Sequence, residues 1–582
     1  MALNPFYEDE LSYLREQGAE FAHANPNLAP FLAREAQDPD VERLLEGFAF
    51  LVARLRQRME QETPNVLQGL IRLIWPQFLR PVPPMTMLAF SAADDSIQTC
   101  VQLPKGAVMR ARPIEGIECP FVTAYPVDVV PFSMTAATMD NRATSARLTL
   151  SLTANGRATS AALPEDRLRL FFNAEREPFV PRALVLWLLR HVRSVRVTSE
   201  TGQSLELGPD AFRPVGYDDA EALLPAPPTM FAGFRLIQEY HAFPAKFLFA
   251  DLLGLAPVRA WQARNLTLTI ELGRPFPDQV RITDGLVRLN CTPAYNLTEV
   301  EGQPIRISGA KTEYRLMPVQ APYHSIHAVE RVSGYLQGRP GRQDYVAFEG
   351  FRHDLPGDPS ERVFYREQLR PAVVGRGVEH FLSFVNRRDL TLAPSAEVIS
   401  TRLIASNAPI ADRIGVGMVD VRSPDVPATV RATNISTVTA EIPPPLADGL
   451  LWRLICSLGR NFGSLTDVRS LRDVVASYDF RAVHDTQARR RLELLLEGLV
   501  EISSVPGDAI LRGVPARMRR MNLTIAESKV GGEPELYLLG SVLDAFFSAY
   551  ANVNALHRLE VRGAETNVSY GWAMRAGAAL PL

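Results

Sequence analysis

The sequence predicts a multidomain α+β fold: a helical subdomain at the start, β-rich lobes of sandwich or barrel type in the middle, and a mixed α/β region with amphipathic helices at the end. Three observations carry this. Apolar residues recur at helical spacing between residues 39 and 62, the repeat shortens to two beyond Pro84, and helical spacing returns after Pro443-Pro444-Pro445. With 582 residues the chain exceeds what one core sustains, since single cores rarely grow past about 250–300 residues. The expected divisions are 1–84, 85–228, 229–442 and 443–582.

Each element has a local cause. Tyr7, Leu11, Leu14, Gly18 and Phe21 step by four and three, giving a first helix that Asn25-Pro26 ends. Val41, Leu44, Leu45, Phe48, Leu51, Val52, Leu55 and Met59 draw one stripe down a second helix. Asp38 can cap its start, with Pro39 in the first turn, and Pro64 is expected to stop it at Thr63 after roughly 35 Å. Val66, Leu67, Leu70, Ile71, Ile74 and Trp75 form the apolar side of a third helix, cut off by Pro76, and the three should share one small core. In the middle, RLRLFF, ALVLWLL, SVRVTS, NLTLTIEL and LVRLNC read as β-rich segments between turns such as Asn155-Gly156 and Gly208-Pro209. PAPPTMFAGF, residues 225–234, reads as a linker. Late helices are expected in GLLWRLICSLGRNF, ARRRLELLLEGLV and GSVLDAFFSAYANVNALHRL. The last of these carries Leu543, Phe546, Phe547, Tyr550 and Val553 on one side. A short strand pair near 508–513 and 521–527 should separate the last two helices.

Composition narrows the function classes. With 62 Lys and Arg against 65 Asp and Glu the net charge is -3, so no global field favours nucleic acid or membranes. Hydrophobic content of 46% and a mean hydropathy of -0.03 are those of an ordinary globule. The start, MALNPFYEDELSYL, is acidic and lacks the basic segment of a signal peptide. No apolar run approaches the roughly 18–20 residues of a membrane span, so the chain is expected in the cytoplasm. Cys100, Cys119, Cys291 and Cys456 are too scattered for zinc or redox spacing.

Motifs of catalysis are missing from the sequence: it has no phosphate loop, no H-E-x-x-H and no G-x-S-x-G. His324 and His327 form an H-x-x-H pair, but in a β-like stretch residues three apart face opposite ways. His241 and the His484-Asp485 pair stand near no recognisable nucleophile. Arg489, Arg490 and Arg491, with Arg517, Arg519 and Arg520, suit a solvated or salt-bridged face first and a protein interface second. No catalytic residue, cofactor or metal is therefore expected.

Specific words go further than periodicity. FYEDELSYLREQGAEFAHANP, followed by DPDVERLLEGFAFLVARLRQRMEQETPNVLQGLIRLIWPQFLRPVPPMTMLAF, closely resembles the start of the TssF family, baseplate subunits of the bacterial type VI secretion system. LPKGAVMRA, CPFVTAYPVDVVP, EYHAFPAKFLFADLLGL, LNCTPAYNLTEVEGQPIRI, TEYRLMPVQAPYHSIHAVERV, FLSFVNRRDL, LLWRLICSLGRNFGSL and YLLGSVLDAFFSAYANVNALHRL continue the resemblance in order, with His241 departing from the family pattern.

The resemblance implies a structural, non-enzymatic subunit of a phage-tail-like contractile machine. Two copies would join one TssG in each wedge, with further contacts to TssK, TssE and the VgrG spike hub. Nucleic acid and direct membrane insertion have no place in it, and the assembly would sit at the cytoplasmic face of the inner membrane. In that setting Phe6, Tyr7, Phe48, Leu51, Leu55 and Met59 are the expected partner-facing residues, rimmed by Arg54, Arg56 and Arg58, with Phe546, Phe547 and Tyr550 on the last helix. The proline-rich joints at 81–84, 225–228 and 443–445 are candidate hinges. A cytoplasmic β-rich protein binding a ligand or carbohydrate is the alternative; a hydrolase built around His484-Asp485 would need a gathered pocket that the sequence does not offer.

Overall fold

The computed structural model describes residues 7–8, 11–12, 14–15, 39–93, 97–165, 167–173, 178–225, 232–277, 282–283, 285–307, 311–336, 342–350, 363–373, 377–386, 397–446, 451, 467–511, 514–550 and 556–577. Tyr7, Glu8, Leu11, Ser12, Leu14 and Arg15 are helical, as the four-and-three spacing predicts. The expected second and third helices are one: α1 runs unbroken over Pro39–Ile74, 36 residues and about 54 Å at about 1.5 Å per residue. Pro64 does not stop it. A proline in a helix interior costs about 3 kcal/mol through its missing N–H and ring clash. Burial of Leu67, Ile71, Trp75, Phe78 and Leu79, just downstream, offsets that cost.

The next helix corrects a second expectation. ALVLWLL belongs to α2, Phe179–Arg190, rather than to a strand. A continuous apolar run fits a buried strand or a buried helix equally well, and here Val180, Ala183, Leu184, Val185, Leu186, Trp187 and Leu188 are all buried. The supposed linker runs into α3, Ala232–Ala242, and Leu224 just before it is buried. Three short helices follow: α4 Val468–Ser477, α5 Phe480–His484 and α6 Thr486–Gly498. Each is capped by an aspartate, Asp467, Asp479 and Asp485, whose side chain accepts from backbone N–H groups of the first turn. Asp485 of the His484-Asp485 pair is thus a helix cap. Then come α7, Glu527–Val530, and α8, Glu533–Tyr550. The sequence ALHRL, expected to prolong α8, instead leads into a strand, Leu556–Gly563. Of GLLWRLICSLGRNF only Leu451 is described, and it is helical; Val553 lies outside the described residues.

Antiparallel pairing dominates the sheets. One five-stranded sheet runs in the order Ser204–Leu207, Val192–Ser199, Asn265–Leu272, Ala146–Ala154, Phe132–Asn141. Ala146–Ala154 alternates strictly between buried and half-buried positions, the mark of a strand with one face on a core. A six-stranded sheet gathers Val421–Arg422, Val108–Ile114, Ile117–Thr123, Cys291–Tyr295, Met85–Ala92 and Val430–Asn434, and a four-stranded one holds RLRLFF beside Phe249–Leu253. Strand pairing therefore crosses residue 228: Met85–Ala92 lies against Cys291–Tyr295, and Ala146–Ala154 against Asn265–Leu272. The eight-stranded sheet lies wholly within 298–406. Near the C-terminus the expected short strand pair is a long hairpin, Leu499–Leu511 with Val514–Ile525, joined in parallel by Leu556–Gly563.

One extended core runs from Leu67 to Trp572, so α1, the five-stranded sheet and the C-terminal helices solidify together. Two of the three proline joints are packed into one place. Val82 and Ile442 exchange backbone hydrogen bonds of 2.8 and 3.0 Å, and Pro81, Pro83, Pro84, Pro443, Pro444 and Pro445 are buried around them. Close packing holds this pair of joints as a strut and opposes the hinge expected of them.

Candidate partner-binding face and its anchor

The long helix has an anchored end and an uncovered side. At its C-terminal end Gln68 makes two hydrogen bonds of 2.9 Å with the backbone of Leu369, as donor and as acceptor. Arg72 pairs with Glu367 at 2.5 Å, and His380 contacts the other oxygen of that carboxylate at 2.6 Å. The two partners hold Glu367 down at about 2 in spite of its burial. Trp75 packs edge-on to Phe234 of α3 at 4.5 Å, and Phe78 to Phe480 of α5 at 4.9 Å. These contacts fix the helix to the eight-stranded sheet, α3 and the C-terminal helices at once.

Along the rest of α1 the small residues are inside and the large ones outside. Ala49 and Ala53 are fully buried, whereas Leu44, Phe48 and Leu51 are 74, 57 and 63% exposed. Val66, Leu70 and Leu73 are also exposed. At about 100° per residue these six positions fall within roughly 100° of one another, so they share one face down the helix. The stripe expected to face the helical subdomain's own core is largely uncovered. Its continuation to Val66, Leu70 and Leu73 lies beyond Pro64, the expected stop, and the 3.6-residue repeat carried across Pro64 reveals it.

The other expected partner residues divide. Tyr7 is half-buried and Arg54 exposed. Phe6 lies outside the described residues, as do the side chains of Leu55, Arg56, Arg58, Met59 and Tyr550. Phe546 and Phe547 are fully buried, with Phe546 against Phe234 at 5.3 Å and against Phe547 at 5.4 Å. This corrects their assignment to a partner face: α8 spends its apolar side on the chain's own core.

The EYHAFPAK word is internal wiring. Lys246 is fully buried and paired with Glu239, which also accepts from the N–H groups of Leu223 and Leu224 at 2.8 and 2.9 Å. Tyr240 donates to Glu535 of α8, and Arg182 of α2 reaches the same carboxylate at 2.8 Å. His241 sits 3.5 Å from Asp479, and burial lowers its pKa against the pull of that carboxylate. His324 precedes the strand Ser325–Leu336 and His327 lies within it. Burial, with Arg80 nearby, lowers the His327 pKa to about 3. Among the described residues no three His, Cys, Asp or Glu side chains gather as a metal site. Arg489 donates to the carbonyls of Ala482 and Val483 at the end of α5, and Arg519 to Ser504. No helix among the described residues is long and apolar enough to cross a membrane.

A multi-sheet α+β body that leaves a long, firmly rooted helix with its apolar stripe uncovered has the features of an assembly subunit. Comparison with known proteins gives the particular kind: residues 1–579 match the model of the type VI secretion system TssF family, and the chain belongs to that family. It is 27% identical over 628 aligned positions to the type VI secretion system component TssF1 of Pseudomonas aeruginosa, with 98% of each chain covered. Among solved structures it is similar to a chain of the TssK-TssF-TssG baseplate subcomplex determined by cryo-electron microscopy. That match has a TM-score of 0.75 at 24% identity and covers 93% of this chain and 100% of the other. A chain of the type VI secretion baseplate complex matches with a TM-score of 0.58 at 22% identity, both chains fully covered.

Proposed function

We propose that this chain is a load-bearing structural subunit of a type VI secretion baseplate wedge, and that the uncovered stripe of α1 seats against a TssG-type subunit. The observation that carries this reading is the face formed by Leu44, Phe48, Leu51, Val66, Leu70 and Leu73, whose exposure costs free energy until another surface covers it. Covering a large apolar side chain contributes about 1.5–3 kcal/mol at most, so six partly exposed ones supply several kcal/mol toward the cost of association. The family membership, and the TssG named in the similar structure's subcomplex, support this choice of occupant. Exposed Arg54 belongs to the polar rim of this face and half-buried Tyr7 to its apolar surface. Two copies per wedge, contacts to TssK, TssE and the VgrG hub, and a position at the cytoplasmic face of the inner membrane complete the proposal. Catalysis, cofactors and metals play no part in it.

Co-purification with the TssG-type subunit of the same genome tests the reading. Phe48→Asp together with Leu51→Asp should cut recovery at least tenfold while the circular dichroism spectrum stays unchanged. Undiminished recovery, or a soluble monomer with no affinity for that subunit, would remove the proposal.

A further inference from the structure

At the foot of α1, where it meets the eight-stranded sheet, a cavity of about 180 Å3 is lined by Arg72, Arg80, His327, Glu349, Glu367 and His380. Its two arginines and two glutamates balance in number, but both carboxylates are also engaged by other groups. Glu367 is shared by Arg72 and His380, and Glu349 lies 3.5 Å from the Arg366 guanidinium. Among the described residues no carboxylate comes within ion-pair distance of Arg80. Burial lowers its pKa most, the Glu367 carboxylate opposes that shift, and the neighbouring Arg72 charge adds to it. Hydrogen bonding is incomplete as well. Nε and Nη2 of Arg72 and Nε2 of His380 are buried with no partner among the described residues, while His327 has the backbone of Pro81 beside its ring. Water could satisfy these nitrogens; an anion would satisfy them and also give the half-buried Arg80 a counter-charge of its own. Guanidinium groups bind tetrahedral oxyanions through paired, charge-assisted hydrogen bonds, and the space is several times the roughly 30 Å3 share of one water.

We propose that this cavity binds one small oxyanion, inorganic phosphate or sulfate, between Arg72 and Arg80. The bound ion ties together three elements: the last turn of α1 through Arg72, the turn that follows through Arg80, and the eight-stranded sheet through Glu367, which Arg72 and His380 share. The site does not depend on the identity of the partner that covers the stripe.

Calorimetric titration of the full-length chain with phosphate and with sulfate, against chloride at equal ionic strength and pH 7, tests this directly. Saturable binding of one ion per chain to at least one oxyanion is expected, with a rise in melting temperature. Arg80→Gln should weaken that binding at least tenfold. In chloride, the same variant should melt no lower than the parent, because it removes a half-buried charge that has no ion-pair partner among the described residues. Arg80→Lys keeps the charge and should retain binding to within a few fold. Absence of saturable binding to either ion would mean that the cavity holds water alone and would overturn the proposal. So would unchanged affinity in Arg80→Gln, or an Arg80→Gln chain that melts lower in chloride or fails to fold.

Discussion

Helices α1 and α8 carry the same sequence signal and meet opposite fates. Both present a stripe of large apolar residues at helical spacing. In α8, Leu543, Phe546 and Phe547 are fully buried, against α3 and the C-terminal sheet. In α1, Leu44, Phe48 and Leu51 stand in solvent while Ala49 and Ala53 are covered. Amphipathic spacing reports that a face will be covered. Whether the covering surface belongs to the same chain depends on which elements the topology brings near, and nothing in a single helix encodes that.

The buried side of this comparison should break hardest. Phe546→Ala is expected to cost about 3–5 kcal/mol in urea unfolding, through lost transfer energy and the cavity left behind; a cost below about 1 kcal/mol would mean that α8 does not hold the core. At the junction between anchored and uncovered parts of α1, Gln68→Ala strands the backbone N–H and C=O of Leu369 and should cost about 1–3 kcal/mol by the same measurement.

Acid should loosen the same junction. His327 titrates near 3 in the folded chain against an ordinary value of 6.5. Its contribution is complete above pH 6.5 and declines below it, as the unfolded chain takes up a proton that the folded one refuses. Glu367, held at about 2 against 4.5, adds a loss of the same sign only below pH 4.5. Stability measured between pH 6.5 and 4.5 should therefore fall less steeply in His327→Gln than in the parent, and parallel slopes would exclude His327 as a source. The smallest effect on stability belongs to the uncovered stripe: Phe48→Ala and Leu51→Ala should each shift unfolding by no more than about 0.5 kcal/mol while weakening capture of the TssG-type subunit. A large loss of stability would mean that this face is already covered by the chain itself.

Much of the fold was legible because its signals are local. Alternation in NLTLTIEL and RLRLFF marked strands, and the repeat of ARRRLELLLEGLV marked α6. The misreadings share one physical origin, in that tertiary contacts overrode a local preference. Pro64 is a helix breaker only until a buried segment on its far side holds the helix together. ALVLWLL has no polar residue to show its period once every face is buried. ALHRL turned from helix to strand because the long hairpin offers it a parallel edge to join. The candidate site was legible in part. Helical spacing marks Phe48 and Leu51, which stand exposed, but it marks Phe546 and Phe547 in the same way and these lie inside.

By itself the sequence determined where apolar stripes and alternating runs lie, which residues cap the late helices, and, through the ordered words from FYEDELSYL to LLGSVLDAFF, the family. Those properties depend on neighbours within a few residues or on the text of the chain itself. Only the tertiary structure decided which stripe stays uncovered, that strands on either side of residue 228 share sheets, and that Arg72, Arg80, Glu367 and His380 meet at one cavity. Such outcomes depend on contacts between residues about 300 apart, as between Arg72 and Glu367, and they are set by which surfaces can pack together rather than by any local preference.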